Sequence, residues 1–178
     1  ISMRSMIADC DTAVLKNVMD INFMGTVYCT KASLSHIIAQ KGIIVGVSSI
    51  AGYRGLPGRS GYSASKFALN GWLESIKTEL SPLGVHVMWV APGFTRSNIR
   101  NAALNEKNQA QGESPLDEAG LMSAEDCALH ILKAVAKRRR TLVLSFQGKQ
   151  TVWLSKFFPS LTDKLIRKFF FKDGQLVK

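Results

Sequence analysis

Five residues, Ile43-Ile44-Val45-Gly46-Val47, constrain the fold of this chain more than any other stretch. Four of them are β-branched and none is polar. A strand with one solvated face alternates polar and apolar side chains. A strand apolar on both sides belongs to a sheet covered on both faces, which is the habit of parallel sheets. Gly42 precedes the run, and Ser48 and Ser49 follow it.

The rest of the chain supplies the covering helices. After a loop over residues 1–10, Asp11 or Thr12 can cap a helix. Apolar residues at 14, 15, 18, 19, 23, 24, 27 and 28 extend it to about Gln40, dense enough for burial on more than one side. A second helix runs from Tyr62 to Leu80, with apolar positions at 64, 68, 69, 72, 73, 76 and 80, and Pro82 and Gly84 stop it. Val85–Ala91 reads as a second buried strand. Ser123 with Asp126 opens a third helix, as in a capping box. The basic run Lys137-Arg138-Arg139-Arg140 suits that helix's C-terminus, and Thr141–Ser145 is a third strand. Alternating helices and strands predict an α/β, Rossmann-like doubly wound parallel sheet. In such sheets ligands bind beyond the C-terminal ends of the strands, where Ser48, Ser49 and Pro92-Gly93 fall.

Behind the first strand comes a loop with glycines at 52, 55, 58 and 61, and then Tyr62 and Lys66. Residues four apart share a helix face, so phenol and ammonium can converge. A free tyrosine has a pKa of about 10, and a nearby cation lowers it. A serine hydroxyl beside the pair can donate to a developing oxyanion. Two surface residues of an ordinary amphipathic helix would show the same spacing, and the motif alone does not separate the two readings.

The setting separates them. Asn22 lies in Asp20-Ile21-Asn22-Phe23-Met24-Gly25, Ser49 follows 27 residues later, Tyr62 comes 13 after that, and Lys66 4 further on. Pro92-Gly93 follows a strand. With these residues at these spacings the chain resembles the short-chain dehydrogenase/reductase family from about residue 1 to residue 147. The resemblance implies an NAD(P)-dependent oxidoreductase that interconverts an alcohol and a carbonyl compound, using NAD or NADP. In it Tyr62 is the general acid/base, and Lys66 lowers the phenol's pKa and bonds the nicotinamide ribose. Ser49 positions the substrate oxygen. Asn22 distorts its helix and supports a proton relay through a water. Pro92, Gly93, Thr95 and Ser97 approach the carboxamide and phosphates, Ser97 standing where many relatives carry Thr. Residues 94–122 would cover a small, hydrophobic substrate. The long helices would pair subunits into a homodimer or homotetramer.

The glycine-rich turn of the form Gly-x-x-x-Gly-x-Gly, which holds the pyrophosphate in that family, is absent from these 178 residues, as is its Asn-Asn-Ala-Gly stretch. The chain therefore reads as the C-terminal part of such a fold, with residues 1–148 the catalytic portion and 149–178 a basic amphipathic tail. The residue that separates NAD from NADP lies outside it. A non-catalytic or membrane-peripheral module that keeps the family fold is the alternative reading.

Charge marks the tail as different. The net charge is +10, and residues 137–178 carry 11 Lys and Arg against only Asp163 and Asp173. Leu154, Phe157, Phe158, Leu161, Leu165 and Phe169 fall on one helical stripe broken at Pro159, with Ser160 and Asp163 spaced as a capping box. Lys156, Lys164, Arg167, Lys168 and Lys172 supply the other face. Such a segment, residues 149–172, can make peripheral membrane contact. It can equally pack on the domain or line the substrate cleft. No nucleic-acid motif accompanies the basic run, so no nucleic acid is expected. Cys10, Cys29 and Cys127 show no pairing pattern, and His36, His86 and His130 no ligand spacing, so no metal site is expected. Arg4 and Asp9 interrupt any leader-like apolar start, and no apolar run reaches the roughly 18 residues of a spanning helix. A cytoplasmic protein is the expectation, with peripheral membrane association as the further option its tail leaves open.

Overall fold

The computed structural model describes residues 1–114 and 120–177. Helix α1 (Thr12–Met19) starts at Asp11, whose Oδ1 accepts the Ala13 N–H at 2.8 Å. A π-helical turn, Asp20–Met24, follows it, and α2 (Gly25–Ala39) continues the rod. Then come β1 (Ile43–Val47), a 3-10 turn at Ile50–Gly52, α3 (Ser60–Leu80) and β2 (His86–Ala91). Helix α4 (Ala124–Ala136) leads to β3 (Thr141–Val143). The chain closes with α5 (Phe146–Phe157), α6 (Pro159–Phe170) and a small antiparallel pair, β4 (Phe171–Lys172) and β5 (Gln175–Leu176).

The sheet order is β1-β2-β3, all parallel, with Ile44 opposite Val87 and Val90 opposite Leu142. Successive side chains of β2 point to opposite faces, as a strand requires. Val87 and Trp89 join Ile44, Leu69, Leu73 and Leu80 in the core under α3. Met88 and Val90 pack with Ala134 under α4. The sheet is covered on both faces at β2, whereas in β1, where the sequence predicts such covering, only Ile44 and Gly46 are buried and Val47 at its end is exposed; the fold is Rossmann-like α/β. Gly46 makes the α3 side possible: a Cβ there would lie 2.2 Å from Leu73 Cδ1. Leu73 is fully buried, and its truncation to Ala costs about 2–5 kcal/mol at such sites. Among the described residues β1 has β2 as its one neighbour, so its far edge is open. A third core cluster, Met3, Val14 and Val18, joins the N-terminal loop to α1.

Several local expectations are corrected. The first helix is not continuous, because the π-turn at Asp20–Met24 interrupts it, and α2 fully buries none of its residues. Helix α3 begins two residues before Tyr62, at Ser60. Strand β3 ends at Val143 because Ser145 leaves the extended region (φ 64) and its Oγ accepts the Gly148 N–H at 3.0 Å, opening α5. Ser160 and Asp163 do not form a capping box. Pro159 starts α6 without a side-chain cap, and Asp163 is ion-paired to Arg54. The Ser123–Asp126 box does form, Ser123 Oγ accepting the Asp126 N–H at 3.0 Å. Of the expected cover over 94–122, residues 115–119 lie outside the described residues. Among the described residues no helix is long and apolar enough to cross a membrane.

Candidate active site

Strand β1 delivers the site. Its ladder runs on past Val47 to Ser48, whose N–H donates to Val90 O at 2.8 Å. Ser49 turns the chain away: its Oγ accepts the Ala51 N–H at 3.1 Å and caps the 3-10 turn. That turn is pressed against α3. A Cβ on Gly52 would meet Asn70 Nδ2 at 2.7 Å, Ser48 Oγ at 2.8 Å and Lys66 O at 2.9 Å. Only a glycine fits where turn and helix come this close.

Tyr62 and Lys66 occupy the first turns of α3 on the face towards Ser49. The Ser49 hydroxyl stands beside the phenol and favours its ionised form. Lys66 Nζ donates to Val47 O at 3.1 Å and stands 5.7 Å from the Tyr62 ring centroid. Burial pushes the Tyr62 phenol above its usual range, and the Ser49 hydroxyl and the Arg59 charge oppose that rise. Burial also holds the Lys66 ammonium below its usual value. The expected lowering of the phenol by Lys66 is thus not what the structure shows. Loss of solvent around the ring outweighs its polar neighbours, and Arg59 is the cation that acts on it.

Arg59 is the residue that sequence reasoning missed. Its guanidinium lies 5.5 Å over the Phe170 ring and, among the described residues, has no carboxylate partner. An arginine in a glycine-rich loop carries no signal of this. The docking of α6, 111 residues later, creates the contact.

A cleft of about 430 Å³ gathers Ser49, Tyr62, Lys66, Pro92, Gly93, Thr95 and Ser97 on its wall, with Arg59, Phe169 and Phe170. Thr95 Oγ1 donates to Gly93 O at 3.3 Å, and Ser97 Oγ accepts the Ile99 N–H at 3.4 Å. Ser48 Oγ, also on the wall, is buried and has no hydrogen-bond partner among the described residues. Asn22 alone of the predicted residues stands apart from the cleft. Its Nδ2 donates to Ile1 O at 2.7 Å and to Ser65 Oγ at 3.0 Å, and its Oδ1 accepts from Ile1 N at 2.6 Å. Its side chain thus ties the π-turn to the N-terminal segment and α3. Among the described residues no cluster of His, Cys, Asp and Glu could hold a metal ion.

Chemically the cleft presents an enclosed phenol, a hydroxyl beside it, the cations Arg4, Arg59, Lys66, Arg96 and Arg100, and apolar walls. That set can give a proton to, or take one from, an oxygen seated against Ser49 and Tyr62.

The family model for short chain dehydrogenase matches residues 1–108. The chain is 32% identical over 163 residues to dehydrogenase/reductase SDR family member 7B of Danio rerio, covering 90% of this chain and 53% of that protein. To the protein of the same name from Xenopus laevis it is 34% identical over 146 residues, covering 82% and 45%. The chain therefore spans about half the length of these curated relatives. Among solved structures, a short chain dehydrogenase from Burkholderia cenocepacia in complex with NADP superposes with a TM-score of 0.76 at 17% identity, covering 93% of this chain and 65% of that one. A short chain dehydrogenase/reductase from Burkholderia phymatum in complex with NAD gives 0.76 at 20% identity, covering 90% and 64%.

Proposed function

Because the chain belongs to the short-chain dehydrogenase/reductase family, we propose that it carries the acid–base site of an NAD(P)-dependent oxidoreductase that interconverts an alcohol and a carbonyl compound. The observation that carries this reading is the phenol of Tyr62 on one cleft wall with Ser49, with Lys66 one turn away.

In the reducing direction Tyr62 gives its proton to the carbonyl oxygen, and in the oxidising direction its phenolate accepts the alcohol proton. Ser49 donates to the same oxygen and holds it against the phenol. The raised pKa of Tyr62 keeps the phenol neutral near neutral pH, ready to act as the acid. Lys66, fixed at the end of β1 by Val47 O, is placed to bond a ribose hydroxyl while its charge faces the ring. The backbone around Asn22 is set by the π-turn, and the proton relay assigned to it runs from there towards Lys66. Apolar walls, among them Phe94, Phe169 and Phe170, exclude water and suit a hydrophobic substrate.

The cleft fits the nicotinamide end of the cofactor, which supplies or accepts the hydride when bound. Among the described residues Ser48 Oγ is an unpartnered buried donor on that wall, and Pro92, Gly93, Thr95 and Ser97 would hold the carboxamide and nearest phosphate. Pairing of subunits through α2 and α3 belongs to the same reading: Tyr28 is 63% and Phe67 47% exposed.

The test follows NAD(P)H absorbance with a panel of apolar ketones in a form of the protein that also carries the glycine-rich nucleotide-binding turn, comparing wild type with Tyr62→Phe. Loss of an acid/base group costs about 10²–10⁴-fold in turnover. Turnover by the variant at the wild-type rate would refute the role given to Tyr62.

A further inference from the structure

The apolar arc of α6 is used only in part by the domain. Thr162 and Phe170 are buried and Ile166 is half-buried. Beside them Leu161, Leu165 and Phe169, four residues apart, form a second stripe that is 41–47% exposed. Phe158 extends it, and α5 adds Trp153 and Phe157, each more than half exposed. The Trp153 ring lies 5.5 Å from both phenylalanines, so the aromatic residues form one patch.

The charges around the patch are of one sign. Lys156, Lys164, Arg167 and Lys168 are all exposed. Asp163 is the single carboxylate in residues 146–172, and Arg54 holds it on the domain. A concavity beside the stripe is walled by Lys164, Arg167 and Lys168 together with Phe171. A second copy of this face would bring like charges together. A surface of anionic headgroups over hydrocarbon matches both components, since an interfacial helix sinks its apolar face roughly 5–10 Å below the charged layer.

Behind the stripe lies a second cavity of about 430 Å³, lined by Ile50, Leu154, Ile166 and Phe170. Leu165 and Phe169 belong both to the exposed stripe and to this cavity's wall, so its mouth is at the patch. Ser49, Pro92 and Gly93 are shared with the catalytic cleft, so its far end meets the site.

We propose that the α5–α6 hairpin docks on an anionic lipid bilayer and that the cavity behind it passes an apolar alcohol or carbonyl compound from the bilayer to Tyr62. The docking stands on the surface alone, whereas the passage rests on the oxidoreductase reading.

The test uses the full chain with vesicles of phosphatidylcholine, with and without phosphatidylserine. Co-sedimentation is expected only with the anionic vesicles and weakens as salt is raised. Tryptophan emission shifts to the blue on binding, and Trp153→Phe removes the shift. Leu161→Glu with Leu165→Glu, both at exposed positions, lowers partitioning by about tenfold or more, with the circular dichroism spectrum showing that the fold is retained. Lys164→Glu with Lys168→Glu does the same without touching the apolar stripe. Equal binding to neutral vesicles, or binding untouched by both double variants, overturns the docking. Self-association through this face with no vesicle binding overturns it as well. For the passage, Leu165→Trp narrows the mouth and should lower kcat/KM for a long-chain carbonyl severalfold while sparing a short-chain one. An equal effect on both overturns the passage. The turnover arm uses a form that also carries the glycine-rich nucleotide-binding turn; if that form turns over no carbonyl at all, the oxidoreductase reading fails while the vesicle results stand.

Discussion

Lys66 Nζ donates to the carbonyl of Val47 at 3.1 Å, which pins the second turn of α3 to the last residue of β1. The bond spans 19 residues and sets the ammonium 5.7 Å from the Tyr62 ring centroid. Strand, helix and candidate proton donor are thus held as one unit.

The Lys66 charge has a cost that pH should reveal. Burial lowers its pKa below the ordinary lysine value of about 10.4, so the folded chain holds this proton less tightly than the unfolded chain. The resulting destabilisation is full below the folded pKa and disappears as pH rises towards the unfolded value. Lys66→Met removes it. Relative to wild type, the melting temperature of the variant should be higher near neutral pH than above pH of about 10, as followed by thermal denaturation at a series of pH values. A difference that does not change with pH would show that the ammonium is not desolvated.

Arg59 should act on the pH profile and not merely on stability. Its charge favours the Tyr62 phenolate, so its removal raises the phenol's pKa further. In Arg59→Met, kcat/KM for alcohol oxidation should begin its alkaline rise at higher pH than in wild type. Reduction, which uses the neutral phenol, should persist to higher pH. A variant with lower activity but an unmoved profile would leave Arg59 a packing residue against Phe170.

Gly52→Ala should damage site and fold together. The new methyl group meets Asn70, Ser48 and the Lys66 carbonyl at 2.7–2.9 Å, and one of the three is main chain. Overpacking of this kind costs about 1–3 kcal/mol, read as a lower denaturant midpoint. Activity should fall further than stability, because the turn that moves carries Ser49. Wild-type stability and activity would mean that the turn can shift freely.

Calorimetric titration of the 178-residue chain with NADH and NADPH should give no saturable heat in the micromolar range, which corresponds to about 8 kcal/mol of binding. In these folds the pyrophosphate sits on the N–H groups of a glycine-rich turn at a helix N-terminus. The residues proposed to hold the cofactor, Pro92, Gly93, Thr95 and Ser97, are ones for its nicotinamide end and nearest phosphate and include no such turn. Micromolar binding would place the cofactor site elsewhere.

The features legible in the sequence are those set by contacts within a few residues. The run Ile43–Val47 specifies a strand of a covered sheet because it holds no polar position, although in β1 only Ile44 and Gly46 are buried and it is β2 that is covered on both faces. Tyr62 and Lys66 reach one face because 3.6 residues make a helical turn. Ser123 caps α4 because its partner Asp126 is three residues away. The resemblance added the roles, and the cleft gathers every residue it named except Asn22.

The remaining features depend on which distant segments meet, and no local pattern encodes that. Ser160 and Asp163 have the spacing of a cap, yet Arg54, more than a hundred residues earlier, takes the carboxylate. Gly52 reads as one turn glycine among several until α3 is seen pressing against it. Arg59 reads as a solvated loop residue until Phe170 covers it. The phenol's pKa depends on how much water the whole fold removes from the ring, a property of packing that the spacing of Tyr62 and Lys66 does not contain. Sequence alone determined which groups can react and on which elements they ride. Tertiary structure decided their protonation, their neighbours and which half of the tail's apolar arc faces outward, because desolvation and long-range contact arise only when the chain is folded.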